Sequence, residues 1–329
     1  MATGIVPGPY VLNLIDSSIL NISSELRKIA LIIILTRAGL GLDITGLKKI
    51  GRPAILMCFL PASFELLGII LITPGALGMS VLEAAIMGAV LAAVSPAVVV
   101  PRMVKLMDNG YGTAKGIPQL ILAGASVDDV YVIVLFSTFT GMMQGKGTSI
   151  INFVNIPVSI ILGMGIGILA GYLLAMYFEK IHIRDTVKVL LILSISFILV
   201  ATEDMLNIPI KFSALIAIMF VRATVNINYL GNMGIKALIV IFGALIFRMA
   251  GVFVCLIKTE LNKKERLFTM MAYTPKATVQ AAIGGIPLAL NFACGETVLT
   301  IAVLAIVITA PLGAFAMDLS YKKLLRRNE

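Results

Sequence analysis

Apolar stretches about twenty residues long recur along the whole chain, and few folds are open to a chain patterned this way. Backbone N–H and C=O groups cannot stay unpaired in hydrocarbon, so each stretch must close its hydrogen bonds within a helix or a closed barrel. The short alternating runs of a membrane barrel do not occur. Of the 329 residues, 59% are hydrophobic and 13% are charged, with a mean hydropathy of +1.04. A soluble domain carries about twice that share of charge. The sequence therefore reads as an all-α polytopic membrane protein.

About ten apolar segments are expected, at 26–42, 53–73, 79–101, 114–142, 150–178, 186–201, 207–221, 233–257, 267–290 and 296–319. The loops between them differ in charge. Lys48, Lys49 and Arg52 fall in 43–52, Arg102, Lys105 and Lys115 in 102–116, and Lys180, Arg184 and Lys188 in 179–188. The intervening loops hold little positive charge. Basic loops stay cytoplasmic, which gives a clean alternation through the sixth segment. The alternation then fails, because "KTELNKKER" (258–266) and the tail "YKKLLRRNE" are basic yet fall on the wrong side by count. One crossing is missing between about 202 and 233.

The formal charge of +9 follows from this loop bias and implies no nucleic acid as a partner. Cys58, Cys255 and Cys294 are scattered, without disulfide or metal spacing. The single histidine, His182, sits in a charged loop. Residues 1–25 are too polar for a span or a signal peptide.

Two stretches resemble each other: "AAVSPAVVV" (92–100) and "MAYTPKATV" (271–279). Ser95-Pro96 and Thr274-Pro275 fall mid-segment, and a proline there removes a donor and breaks the helix. The likeness extends backwards to "RAGLGLDITGLKKIG" from Arg37 and "RATVNINYLGNMGIK" from Arg222. The charge alternation makes the two segments antiparallel. Two similar units of opposite direction, each with a broken helix, are the mark of a secondary transporter with a midplane site. The organisation expected is a polar segment at 1–25, a first inverted repeat with the Asp-Asp helix at 26–142, and linking helices at 143–206. A second inverted repeat follows at 207–319, with a basic cytoplasmic tail at 320–329.

Charges inside the spans are few: Glu65, Asp128 and Asp129 against Arg248 and Lys276. Such groups are costly in a membrane and mark function by default. Glu65 and Arg248 occupy equivalent places in the two repeats and make natural partners, for which a structural role is sufficient. Asp128 and Asp129 point about 100° apart on a helix, so both cannot satisfy one partner equally. Lys276, beside the second break, can pair with one of them. Two close carboxylates in low dielectric titrate as one coupled unit. Such a pair can hold a proton or a small cation, but not both cheaply. Backbone carbonyls freed at Pro96 and Pro275, with the hydroxyls of Ser95, Ser126 and Thr274, are expected to complete an oxygen shell. "GMGIGILAG", with Gly163, Gly167 and Gly171, reads as a helix-packing face.

"RAGLGLD", "GAVLAAVSPAVVVP", "GASVDDV" and above all "PKATVQAAIG" resemble the cation:proton antiporter superfamily, in particular its NHA-type sodium/proton exchangers. The likeness covers nearly the whole chain. It implies a NapA/NhaA-like fold with two broken crossing helices, a core domain moving against a dimerisation domain, and a homodimer in the cell (inner) membrane. It places the ion-binding aspartate at Asp129, with Asp128 beside it as the partner of Lys276, and it supports the Glu65–Arg248 pair. Such relatives carry further N-terminal helices before "RAGLGLD", and a loop and most of a helix where residues 220–223 run together here. The expectation is therefore a chain lacking both.

The activity implied is exchange of Na+ or Li+ for H+ by alternating access, without a cofactor and without enzymatic chemistry. The nearest alternatives are K+/H+ exchange and an inactive truncated remnant. An intramembrane aspartyl protease needs two carboxylates on separate helices sharing one water. Here they are adjacent on one helix.

Overall fold

Proline, glycine and capping residues decide where the helices start and stop. The computed structural model describes residues 51–145 and 230–327, with positions 173, 176, 177, 191, 194 and 198 between them. Helix α1 spans Arg52–Met57 and α2 spans Leu60–Leu77, with Pro61 in its first turn and Gly78 closing it in the left-handed conformation. Helix α3 (Val81–Leu91) starts at a Ser80/Glu83 capping box. It stops at Leu91, and α4 (Pro96–Asp108) begins on the proline, which suits a first helical position because its missing N–H is not needed there. A 3-10 turn at Thr113–Lys115 leads into α5 (Ile117–Met143).

In the second half, α6 spans Leu230–Cys255. Helix α7 (Lys263–Ala272) opens on an Asn262/Glu265 capping box. The chain then loses helical form around Pro275 and resumes as α8 (Thr278–Ile283) and α9 (Ile286–Ala289). Helix α10 spans Gly295–Leu324.

Among the described residues, five stretches are long and apolar enough to cross a membrane: Arg52–Leu77, Val81–Asp108, Ile117–Met143, Gly234–Cys255 and Gly295–Leu324. At 27 residues, α5 is about 40 Å long. Among the described residues there is no strand, only an isolated bridge between Tyr111 and Arg327. Six of the expected segments coincide with helices here. Apart from the isolated positions 173, 176, 177, 191, 194 and 198, the segments at 26–42, 150–178, 186–201 and 207–221 lie outside the described residues, as do His182, the glycines of "GMGIGILAG" and the missing crossing. Two boundaries need correcting. The expected loop 102–116 begins later, because α4 runs on to Asp108 and carries Arg102 and Lys105, where positive charge suits a helix C-terminus. The expected span 267–290 is a run of short helices around the break.

The buried apolar side chains form two main clusters. One includes Ala92, Ala93 and Val279, and the other Val94, Ala272 and Tyr273. The boundary between them thus passes through both breaks. Helices α2 and α6 approach closely through small residues. A Cβ at Gly251 would come within 2.9 Å of Pro61 Cα, and one at Gly68 would meet the Phe247 ring. Between these contacts lie Glu65 and Arg248.

The basic segments that defeated the charge count gather at one end of the bundle. Lys115 Nζ donates to Glu260 O at 2.9 Å and Glu265 Oε2 at 2.8 Å, while Gly112 N donates to Arg326 O at 2.8 Å. Loop 109–116, segment 258–266 and the tail therefore share a face. Helix α4 ends at that face and α7 starts there, so the two broken helices run in opposite directions.

Candidate functional site

A helix that stops mid-membrane leaves carbonyls at its end and amides at the next start without helical partners. In apolar surroundings those groups must be met by something else, and here they are met by each other and by the buried charges. Ser95 N, in the first break, donates to Pro275 O, in the second, at 2.9 Å. The two broken helices therefore cross in direct main-chain contact.

Arg248, on α6, is fully buried. Its Nη1 donates to Glu65 Oε2 and its Nη2 to Asp128 Oδ2, both at 2.8 Å. Its Nε donates to Tyr273 O at 2.7 Å, and Nη1 also donates to Ala92 O. The planar fork of a guanidinium can serve several acceptors in this way, which a lysine ammonium cannot copy. One side chain thus ties both breaks and two carboxylates together. Its guanidinium also lies 5.5 Å from the centroid of the Tyr273 ring. The Tyr273 hydroxyl reaches back to Ile121 O on α5 at 3.4 Å, close beside Gly124, where a Cβ would also meet Met57 Cβ at 2.8 Å.

Lys276 Nζ donates to Glu65 Oε2 at 2.5 Å. This corrects the expected Asp128–Lys276 pair: Asp128 is paired with Arg248, and Lys276 with Glu65. The Glu65–Arg248 contact is present as well. The reason is reach. Arg248 stands between Glu65 and Asp128 and engages both, and Lys276 shares Glu65 Oε2 with it.

Asp128 Oδ2 also accepts from Val94 N at 2.9 Å, so it caps the first break as well as pairing with Arg248. Among the described residues its Oδ1 has no hydrogen-bond partner, and the same holds for Asp129 Oδ1. Both residues are buried, at 0% and 1% exposure. Among the described residues, the charged groups buried at this crossing are three carboxylates, Glu65, Asp128 and Asp129, and two cations, Arg248 and Lys276. Asp129 is the carboxylate left over.

The expected oxygen shell also needs correcting. The carbonyls of Leu91 and Ala93 accept from Gln280 Nε2 at 3.1 and 2.9 Å. Those of Ala92 and Tyr273 accept from Arg248, and that of Pro275 from Ser95 N. Thr274 Oγ1 donates to Met271 O at 2.8 Å, within its own helix end. A break surrounded by donors spends its carbonyls on them. The buried oxygens without a partner include Ser95 Oγ, Asp128 Oδ1, Asp129 Oδ1 and Gln280 Oε1. The Ser126 side chain lies outside the described residues. Among the described residues no three His, Cys, Asp or Glu side chains group as a resident metal site would require. The donor set instead offers carboxylate and neutral oxygens, which suit a hard cation.

Two residues escaped the sequence reading. Gln280 lies within "PKATVQAAIG" and is fully buried, and a polar residue in that apolar stretch was the available signal. Thr309 Oγ1 accepts from Lys276 N at 2.9 Å, and nothing in its sequence context marks it.

Comparison with known proteins agrees with this architecture. A family model described as "Sodium/hydrogen exchanger, transmembrane" matches residues 1–221. The human protein sodium/hydrogen exchanger 9B2 is 32% identical over 353 residues, covering 93% of this chain and 65% of the relative. The chain thus spans about two thirds of the length of that relative. The alignment is longer than the chain itself, so the relative has positions inside the matched region that this chain lacks. Human sodium/hydrogen exchanger 9B1 is 31% identical, with 93% of this chain and 67% of the relative covered. Among solved structures, the sodium proton antiporter MjNhaP1 from Methanocaldococcus jannaschii superposes with a TM-score of 0.79 at 19% identity, covering 98% of this chain and 91% of that one. That likeness shows that the chain shares the fold of that antiporter. The chain is a multi-pass membrane protein and belongs to the transmembrane sodium/hydrogen exchanger family.

Proposed function

We propose that the chain exchanges Na+ or Li+ for H+ by alternating access, with cation and proton competing at Asp128 and Asp129. The observation that carries this reading is the charge balance at the crossing. Arg248 and Lys276 match two carboxylates, which leaves Asp129 uncompensated and buried. A proton or a monovalent cation neutralises that excess. Both together would leave a buried positive charge, which is strongly disfavoured. Mutual exclusion at one site, with access alternating between the two faces, is sufficient for obligatory exchange.

The roles follow from position. Asp129 takes the exchanged ion, Asp128 supplies a second oxygen while capping the first break, and Arg248, Glu65 and Lys276 hold the charges in place. The breaks at Ser95-Pro96 and Thr274-Pro275 make room for charged groups at mid-depth. The antiparallel run of the broken helices supports the division into inverted repeats at 26–142 and 207–319. The basic segments gathered on one face support a cytoplasmic assignment for that face. The exposed Leu71, Ile235 and Leu319, at 70%, 77% and 77%, suit lipid or the dimer partner expected for such an exchanger. The names of the relatives and of the structural neighbour support sodium and proton as the exchanged ions.

The test is dissipation of an imposed proton gradient in membrane vesicles on adding NaCl, LiCl or KCl, for the chain as given and for Asp129→Asn. The expected result is a response to Na+ and Li+ that falls to the level of empty vesicles in the variant, with the variant still in the membrane. A response that survives Asp129→Asn would sink the assignment, and one to K+ alone would replace the cation.

A further inference from the structure

Gln280 is buried on α8, outside the charged cluster, and its amide orientation is fixed by what it touches. Its nitrogen lies 3.1 Å from Leu91 O and 2.9 Å from Ala93 O. Only the NH2 end can donate to two carbonyls. The Ala93 carbonyl belongs to the same peptide unit as the Val94 amide, and that amide donates to Asp128 Oδ2 at 2.9 Å. A trans peptide unit is planar and stiff, with its C=O and N–H pointing to opposite sides. Gln280, the Ala93–Val94 peptide and Asp128 therefore form one rigid relay from the second broken helix, through the first, to the aspartate pair.

We propose that Gln280 is a positioning residue for the cation site, setting through the Ala93–Val94 peptide where the Asp128 carboxylate stands. This rests on the exchanger reading above and adds to it the residue that fixes the geometry of Asp128. Arg248 donates to the same oxygen, at 2.8 Å, as one of its four acceptors, and the Val94 amide approaches that oxygen from a second direction. The peptide relay supplies that direction. By satisfying both its amide protons on Leu91 O and Ala93 O, Gln280 also keeps those carbonyls turned toward the protein and away from a bound ion. Among the described residues the Gln280 amide oxygen has no partner, and the side chain is anchored there through its nitrogen.

Two substitutions of nearly equal size separate positioning from space-filling. Gln280→Met fills the volume without donors, and Gln280→Glu puts acceptors where the donors stood. The measurement is the half-saturating Na+ concentration, read by exchange in vesicles and by Na+-dependent thermal stabilisation in detergent, beside the maximal rate. The expected result is a half-saturation raised about five-fold or more in Gln280→Met, the effect of losing one buried hydrogen bond. Gln280→Glu should be worse still, and the maximal rate of the Met variant should stay within about two-fold of wild type. Half-saturation within about two-fold of wild type in the Met variant overturns the proposal. So does a fall in maximal rate alone, which marks a purely structural role. If the Met variant fails to insert, the Glu variant carries the same test in vesicles, with unchanged half-saturation as the overturning result. Asp129→Asn in the same melts separates the two levels. Na+ stabilisation that survives in it removes the site assignment itself, whereas its loss there with unmoved Gln280 variants removes only the positioning role.

Discussion

At Ala92–Ser95 the exposed main chain is taken up by side chains from three other helices: Gln280 on the carbonyls of Leu91 and Ala93, Arg248 on that of Ala92, and Asp128 on the Val94 amide. At Tyr273–Ala277 the closure is lighter. Arg248 takes Tyr273 O, Thr309 takes the Lys276 amide, and Pro275 O goes to the first break itself. The first break is thus held from outside and in turn fixes Asp128. The second rests on α10 and contributes a charge of its own, Lys276. Two interruptions with the same Ser/Thr-Pro signature have become a scaffold for the acid pair and a carrier for its counter-charge. Among the described residues, Arg248 is the one side chain that donates to the main chain of both.

Removing that shared side chain is the severest way to break the comparison. Arg248→Met leaves Glu65 with Lys276 alone, Asp128 with only the Val94 amide, and the Ala92 and Tyr273 carbonyls without this donor. Stranding a buried carboxylate in this way costs about 3–5 kcal/mol. The expected outcome is a large fall in apparent melting temperature in detergent, or no folded protein at all. Arg248→Lys sharpens the point, because it restores the charge without the fork. Recovery of wild-type stability by Lys would mean that charge alone holds the breaks, and the account of Arg248 as a geometric tie would be wrong.

The next largest effect should fall on the second break alone. Thr309→Val keeps the shape and removes the acceptor for the Lys276 amide. A buried N–H left unmet costs about 1–3 kcal/mol. Stability should drop by that order, while half-saturating Na+ moves less than in Gln280→Met, because the relay to Asp128 is untouched. Equal shifts in the two variants would erase the distinction between scaffold and carrier.

How much of this was legible follows from what each residue does to a chain in lipid. Pro74, Pro101 and Pro311 lie inside continuous helices, so a proline alone marks no break, but Pro96 and Pro275 each follow a Ser or Thr in one of two similar stretches. Asp128, Asp129, Glu65, Arg248 and Lys276 are conspicuous in apolar segments, so the breaks and the members of the charged cluster could be read directly. The partners could not. Lys276 stands beside the second break with the aspartates as available partners in the sequence, but only the packing of α2 on α6 puts Arg248 between Glu65 and Asp128. Neutral residues were harder still. Thr140 and Thr309 are both buried threonines in apolar helices. The hydroxyl of Thr140 merely bonds Phe136 O in its own helix, at 2.8 Å, whereas that of Thr309 closes the second break. No local pattern separates them, because the difference lies in which helix passes beside each. The carbonyls freed at the breaks were expected to face an ion, and no local pattern shows that Gln280 and Arg248 claim them.

The smallest effect tests whether the scaffold is local to the break. Ser80 starts α3 through a capping box: its Oγ accepts from Glu83 N at 3.3 Å, and Glu83 Oε2 accepts from Ser80 N at 2.8 Å. Helix α3 has 11 residues and is about 16 Å long, so this cap sits a full helix length from Ala92. Ser80→Ala should cost about 1 kcal/mol, the usual value of an N-cap. It should leave half-saturating Na+ where it is, because Gln280, Arg248 and Asp128 fix the far end of α3 independently of how its near end is capped. A shift in half-saturation from this remote site would mean that α3 slides as a rigid rod and carries its carbonyls with it. The first break would then be a moving part and the second its fixed counterpart, the reverse of the roles assigned from their contacts.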